Sequence, residues 1–265
     1  MLKKISSVQN PFVKQLVQLK EKSKLRKQTG LFIVEGKREI SLAIKGCYKL
    51  ETIYYCADLF SNAEAAALEA YEIDVIEISK MVYEKVAHRG TTEGVIAVAK
   101  ANKLSLNNLK ITSQNPLILV AESPEKPGNI GALLRTADAA NIDAVIIANP
   151  LTDMYNPNII RSSVGGVFTV PIATGTTNEI IQYLKNNNIA IYSAILQESV
   201  AYDSIDFRIP SAIVIGTESV GLSEKWRKIS TANIQIPMQG KLDSMNLSVS
   251  AGIIIFEAKR QRKFI

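Results

Sequence analysis

The sequence predicts an α/β protein in two parts. These are a C-terminal domain built on a mostly parallel sheet and a smaller α/β domain ahead of it. Three observations lead there. The second half alternates short, wholly apolar segments with helical ones, the pattern of a parallel sheet covered on both faces. A looser strand and helix alternation fills the first hundred residues and stops near Ala99. Between them, KANKLSLNNLKITSQN (100–115) is polar, Asn-rich and poor in apolar periodicity, as a connector would be. The boundaries follow as 1–104 for the first domain, 105–115 for the linker and 116–265 for the second domain. The length of 265 residues, 47% hydrophobic and 21% charged, suits two ordinary globular domains.

Each element has a local reason. Asn10-Pro11 reads as an N-cap followed by a helix start, and Phe12, Leu16 and Leu19 form an apolar stripe through about residue 20. LFIV (31–34), TIYYC (52–56), DVIEIS (74–79) and GVIAVA (94–99) read as strands. Helices are expected near 37–45, 63–70 and 81–87. In the second half, LILVAE (117–122), AVIIA (144–148), IAIYSAI (189–195), AIVIG (212–216) and NIQIPM (233–238) read as strands, and GVFTVPI (166–172) contains another. Helices are expected over 129–140, 177–187 and 245–264. The last has basic residues near its end, where they favour the dipole. In such a sheet, ligands bind beyond the carboxyl ends of the strands.

Composition excludes several functions. Two cysteines, Cys47 and Cys56, give neither a disulfide framework nor a four-ligand zinc site, and the lone His88 rules out a three-histidine metal centre. No apolar run reaches the roughly 18 residues of a membrane span. MLKKISSVQNPF lacks the apolar stretch of a signal peptide. The expectation is a soluble cytoplasmic protein. The net charge is +6 and unevenly spread. Residues 1–27 carry eight basic groups against Glu21 alone, whereas 106–265 carry 14 basic and 13 acidic groups. The cluster Lys20, Lys22, Lys24, Arg26 and Lys27 has no interleaved aromatics, which suits phosphate contact better than base readout. A solvated basic helix face would look the same.

Neither half carries a GxGxxG dinucleotide fingerprint, a GxxxxGK[ST] phosphate loop or a GxSxG elbow. A nucleotide-dependent metabolic enzyme is thereby disfavoured. Instead, three polar, glycine-containing segments flank apolar strands: EKPGNIGALLRTAD (125–138), IGTESVGLS (215–223) and IPMQGKLDSMN (236–246). Taken alone they are equally a ligand site or ordinary turns.

Together these segments resemble the SpoU, or TrmH-like, family of RNA ribose 2'-O-methyltransferases. Asn129, Gly131 and Arg135 match the family's Asn-x-Gly-x-x-x-Arg. Gly216, Thr217, Glu218, Ser219, Val220, Gly221 and Leu222 resemble Gly-Asn-Glu-Gly-x-Gly-Leu. Ile236, Pro237, Met238, Gly240, Ser244, Met245, Asn246, Leu247 and Ser248 resemble Ile-Pro-Met-x-Gly-x-x-x-Ser-Leu-Asn-Val-Ser. RSSVGGVFTVP (161–171) is similar to a fourth family segment, and 31–99, including FIVEGKREI, more loosely resembles the family's ribosomal-protein-like RNA-binding domain. The resemblance implies a trefoil-knotted C-terminal domain, S-adenosyl-L-methionine as cofactor, a homodimer with the site near its interface, and structured RNA as substrate. Ribosomal RNA is the expected substrate, and transfer RNA is the alternative. A catalytically silent RNA-binding protein of the same fold is the rival class. Sulfonium chemistry implies no metal.

The resemblance assigns catalysis to Arg135, Asn129, Glu218, Ser244 and Asn246. Arginine is a poor base at its ordinary pKa, so positioning and charge stabilisation are the roles chemistry supports for Arg135. Asn129 offers a donor and an acceptor, although its place before a helix equally suits an N-cap. The cofactor is expected against Ile215, Gly216, Thr217, Gly221, Ile236, Pro237, Met238 and Leu247, with apolar side chains on its adenine and backbone groups reading its edge. RNA contact is expected from the five basic residues of 20–27 together with Arg38, Arg89 and Arg161. Thr217 and Ser219 depart from the family's usual asparagine and glycine.

Overall fold

The structure, a computed structural model, describes residues 4–69, 73–88, 93–217, 220–241 and 244–264. Two compact units emerge. One comprises Met1–Asn102 with Asp153–Thr169, and the other Lys103–Thr152 with Val170–Ile265.

The first unit runs β1 (Lys4–Ile5), α1 (Pro11–Glu21), α2 (Ser23–Thr29), β2 (Leu31–Glu35), α3 (Lys37–Lys45), β3 (Leu50–Tyr55), α4 (Asn62–Glu69), β4 (Asp74–Ile78), α5 (Lys80–Val86) and β5 (Val95–Lys100). Its five-stranded mixed sheet has the order β1-β4-β3-β5-β2. Asn10 caps α1 as its sequence suggests, its side chain accepting the Phe12 N–H at 2.9 Å. The buried stripe of α1 is Val13, Leu16 and Leu19, with Phe12 57% exposed, so the predicted register is off by one at its start. Pro11 occupies the first helical position and turns Phe12 outward. The basic stretch after α1 is itself a helix, α2, ended by Gly30 in the left-handed conformation (φ 65°).

The second unit runs β6 (Leu117–Glu122), α6 (Pro127–Ala139) and β7 (Ala144–Ala148). After the excursion into the first unit come β8 (Ile172–Gly175), α9 (Thr177–Asn186), β9 (Ala190–Ala194), β10 (Val200–Ala201), β11 (Ser211–Ile215), α10 (Glu224–Ile229), β12 (Ala232–Gln235) and α11 (Leu247–Gln261). The excursion holds α7 (Pro157–Ser162) and α8 (Gly166–Thr169). Seven strands in the order β10-β12-β9-β11-β6-β7-β8 pair in parallel throughout. Strands β6, β7 and β11 are buried at every position, which is why they read as apolar runs, broken only by Glu122 at the end of β6 and Ser211 at the start of β11. Residues expected to form a linker pack on this unit: Leu106, Leu109 and Ile111 lie half-buried against its core, and Thr174 N–H donates to the Leu104 carbonyl.

Two expectations are corrected. Residues 166–169 are the helical turn α8 and not strand, so the strand starts only at Ile172. Val164 and Gly165 both take positive φ (55° and 87°), turning the chain into α8 before Pro171 returns it to the sheet. Asn129 is not an N-cap. Lys126 holds that position, with Pro127 at the helix start, and Asn129 stands inside the first turn of α6.

The 153–169 segment is bound tightly within the first unit. Tyr155 stacks on Phe32 with ring centroids 4.3 Å apart, and Phe168 meets Tyr48 edge-on at 5.1 Å. The Tyr155 hydroxyl accepts the Asn102 N–H at 3.0 Å and lies 3.4 Å from that of Tyr48. Burial pushes both phenols above their ordinary pKa. Among the described residues no helix is long and apolar enough to cross a membrane.

Candidate active site

The second unit contains a cavity of about 350 Å³ beside the carboxyl ends of β9, β11 and β12. Its walls come from the exits of all three strands and from the start of α11. Ile215, Gly216, Thr217, Gly221, Ile236, Met238 and Leu247 all line it, and so does Ser244. Pro237 is exposed and does not. The sequence reading overlooked Leu196 and Gln197, which lie just after β9 and complete the wall, because no motif marks them.

The loop leaving β11 is folded back on itself. A side chain at Gly216 would bring its first carbon within 2.2 Å of the Gly221 carbonyl carbon, so only glycine fits there. Gly221 has φ 68°, a conformation other L-residues rarely take, and its N–H donates to the Thr217 carbonyl at 3.0 Å. Thr217 replaces the asparagine usual in the resemblance and still closes the turn, its Oγ1 accepting the Val220 N–H at 3.1 Å. Glu218 and Ser219 lie outside the described residues.

Helices α6 and α11 pack together closely enough that an added carbon at Gly252 would sit 3.8 Å from Thr136 Cγ2. This brings two distant motifs into contact. Asn246 Nδ2 donates to Asn129 Oδ1 at 3.3 Å, across 117 residues of chain. Asn246 also caps α11, its Oδ1 accepting the Ser248 N–H at 3.0 Å and the Ser248 hydroxyl at 2.6 Å. The side chain of Asn246 is thus held from two sides. Arg135 is exposed on α6, and no hydrogen bond or ion pair engages it among the described residues.

Of the residues expected to meet RNA, Lys22, Lys24, Lys27, Arg38 and Arg161 are exposed on the first unit, and Arg89 lies outside the described residues. Lys20 is half-buried, its Nζ donating to the Lys85 carbonyl at 3.1 Å. Arg38 Nη2 donates to the Val164 carbonyl at 2.8 Å. Arg26 departs from the expectation. It is 5% exposed, and its guanidinium forks onto Asp153 at 3.0 and 2.8 Å while Nη1 donates to the carbonyls of Leu19 and Lys20. With four donors engaged inside the fold it has no reach to a phosphate. Its basic neighbours in the sequence gave no sign of this, because Asp153 lies 127 residues away.

A buried polar cluster behind the β11 loop also escaped the sequence reading. Glu122, at the end of β6, accepts from Thr177, at the start of α9, and from Ser223, just after the loop. A charged residue closing an otherwise apolar strand was the only signal.

A seven-stranded parallel sheet with a cavity at its strand ends, walled by glycine-bearing loops and flanked by a paired Asn129–Asn246, is the architecture of a known class. Residues 116–256 match the SpoU rRNA Methylase family, and residues 10–97 match the MRM3-like substrate binding domain. The chain belongs to the SpoU rRNA methylase family. It is 26% identical over 260 residues to the 23S rRNA (guanosine(2553)-2'-O)-methyltransferase RlmP of Bacillus subtilis, covering 97% of this chain and 100% of that protein. Among solved structures, an RNA 2'-O ribose methyltransferase matches with TM-score 0.84 and 35% identity, covering 98% of this chain and 99% of the other. An AdoMet-bound rRNA methyltransferase from Sinorhizobium meliloti matches with TM-score 0.89 and 28% identity, covering 98% of each chain.

Proposed function

We propose that this protein is an S-adenosylmethionine-dependent ribose 2'-O-methyltransferase acting on ribosomal RNA in the cytoplasm, as a homodimer. The observation that carries the reading is the cavity, whose walls combine three strand ends, the tight 216–221 loop and the start of α11. Its volume falls within the roughly 300–1,000 Å³ of small-molecule sites, and its walls are mostly apolar, with Gln197, Thr217, Gln235 and Ser244 among them. The donor set suits the cofactor. Ile215, Ile236, Met238 and Leu247 offer apolar faces to a purine, and the close Gly216–Gly221 approach leaves loop backbone free of side chains. When bound, S-adenosylmethionine supplies an electrophilic methyl carried on a positive sulfur.

The chain's own residues then have distinct tasks. Asn129 and Asn246 form a paired amide platform at the cavity's edge, and Ser244 adds a hydroxyl to its wall. Arg135, exposed on the same helix as Asn129, brings a fixed cation and five donors to a ribose and its phosphate. Its role is positioning and charge stabilisation. The exposed Lys22, Lys24, Lys27, Arg38 and Arg161 supply phosphate contacts. For the dimer, α11 turns Val249 and Phe256 outward, 50% and 42% exposed and two turns apart on one stripe, a face suited to a second copy.

Two measurements test this reading. Calorimetry is expected to give one S-adenosylmethionine per chain, and ribose-methylation mapping of total RNA from cells with and without the gene is expected to lose one ribosomal site. Cofactor binding with no change in any RNA would overturn the enzymatic reading in favour of a silent RNA-binding protein. A change confined to transfer RNA would overturn the substrate.

A further inference from the structure

We propose that Glu122 is a positioning residue that holds the cofactor loop in its binding conformation from the far side of the sheet. The inference rests on the assignment of the cavity above to S-adenosylmethionine.

Glu122 is 6% exposed, the only acidic residue among those described that is buried as a whole. It lies on the opposite face of the sheet from the cavity. Ile118 and Val120, which alternate with it along β6, belong to the core formed with Ile180 and Leu184 of α9 and Trp226 of α10. Ile215 and Ile254, by contrast, line the cavity. Ala121 pairs with Ile215 across the ladder, so Glu122 stands level with Gly216, where the loop departs.

Three donors converge on its carboxylate and no ion pair engages it among the described residues. Ser223 N–H donates to Oε2 at 2.8 Å, the Ser223 hydroxyl to Oε1 at 3.0 Å, and the Thr177 hydroxyl to Oε1 at 2.6 Å. Thr177 is fixed in turn by Asn149, whose Nδ2 donates to its hydroxyl at 2.8 Å. Ser223 directly follows Leu222, a cavity-lining residue, and stands at the N-cap of α10. Serine at that position ordinarily turns its oxygen onto the helix's own N–H groups. Here it makes no such bond and donates to Glu122.

The loop is therefore fastened at both ends. Strand β11 holds its start, and Glu122 holds its finish through two bonds to one residue. Stability alone does not account for a carboxylate here. An apolar residue would extend the Ile118–Val120 core, whereas burying a carboxyl group costs desolvation that its bonds only offset. The benefit lies in fixing where Val220, Gly221 and Leu222 stand before the cofactor arrives, so that binding does not have to order them.

The test compares the two tethers of one carboxylate. Glu122→Ala frees the loop, and Glu122→Gln retains an oxygen for the Ser223 N–H. Thr177→Val removes the tether to α9 and leaves the loop's own bonds in place. Calorimetry with S-adenosylmethionine, well below each variant's Tm, is expected to show Kd raised about tenfold or more for Glu122→Ala, as for loss of a charge-assisted hydrogen bond. Glu122→Gln is expected within about threefold of wild type, as one bond to Ser223 survives, and Thr177→Val within about twofold, since both bonds from Ser223 to the carboxylate remain. Methylation kinetics of Glu122→Ala are expected to show KM for the cofactor raised and kcat at saturation little changed. A folded Glu122→Ala with wild-type Kd overturns the proposal, as does Thr177→Val weakening the cofactor as much as Glu122→Ala. Should Glu122→Ala fail to fold, Ser223→Ala and Glu122→Gln decide. Some rise in Kd in both is expected, and wild-type Kd in both overturns it. Wild-type protein that binds no S-adenosylmethionine overturns the cofactor assignment itself, a result separable from these.

Discussion

Arg26 and its neighbours separate two jobs that a basic stretch performs. Replacing Arg26 with Met keeps the aliphatic volume and removes the fork that engages Asp153 at 3.0 and 2.8 Å. The Asp153 side chain, 9% exposed, is left without that partner, and the carbonyls of Leu19 and Lys20 lose their shared donor. Breaking a buried pair from one side costs about 3–5 kcal/mol, because the remaining charge stays desolvated. Urea unfolding of the full chain, followed by a probe in the first unit, should report a loss of that size. A double variant, Arg26→Met with Asp153→Leu, should recover most of it, which is the signature of direct coupling. The RNA salt dependence should not move. Neutralising Lys22, Lys24 and Lys27 together should do the reverse. These three are exposed, and no side-chain hydrogen bond or ion pair engages them among the described residues, so the slope of log K against log salt should fall by about 2–3, or roughly 0.7–0.9 per phosphate contact. Arg26→Met that unfolds like wild type, or that lowers the salt slope by about one with stability intact, would return Arg26 to the RNA-contacting surface.

Arg135→Ala should lower the single-turnover methylation rate by roughly 10² or more with cofactor affinity within a few-fold, and lysine should rescue poorly because it lacks the planar fork. A folded alanine variant with near wild-type rate would make Arg135 structural. Gly216→Ala places a carbon 2.2 Å from the Gly221 backbone, so the loop must open. Cofactor Kd measured by calorimetry should rise by at least about tenfold, as expected when pre-organisation is lost. Sedimentation should give twice the 29.0 kDa chain mass, and Phe256→Glu on the outward face of α11 should shift it toward one. A monomer with full activity would defeat the dimer.

What was legible in the sequence was whatever depends on neighbours along the chain. Asn10 followed by Pro11 announces a helix start because a cap and its N–H lie two residues apart. β6, β7 and β11 announce a parallel sheet because strands buried on both faces read as nearly continuous apolar runs. The motif resemblance added the cavity residues, and all but Pro237 lie on its wall. Asn129 shows where local reasoning stops. Its sequence position suits an N-cap, yet Pro127 starts the helix two residues earlier, and the amide is used instead to meet Asn246. Thr217 is a similar case, since its fitness for the turn depends on a hydroxyl reaching Val220, a contact that residue identity alone does not specify.

Short-range periodicity and capping were thus enough for the α/β class and most of its longer elements, and the resemblance to a family supplied the motifs. Which charges are engaged within the fold was set by packing between distant segments. Arg26 is spent on Asp153, Glu122 on Ser223 and Thr177, and Arg135 remains exposed on α6. The reason is physical. A side chain's charge is written in the sequence, but its burial and its partners are set by residues far along the chain, 127 positions away for Arg26, and burial decides whether a charge holds the fold together or meets a ligand.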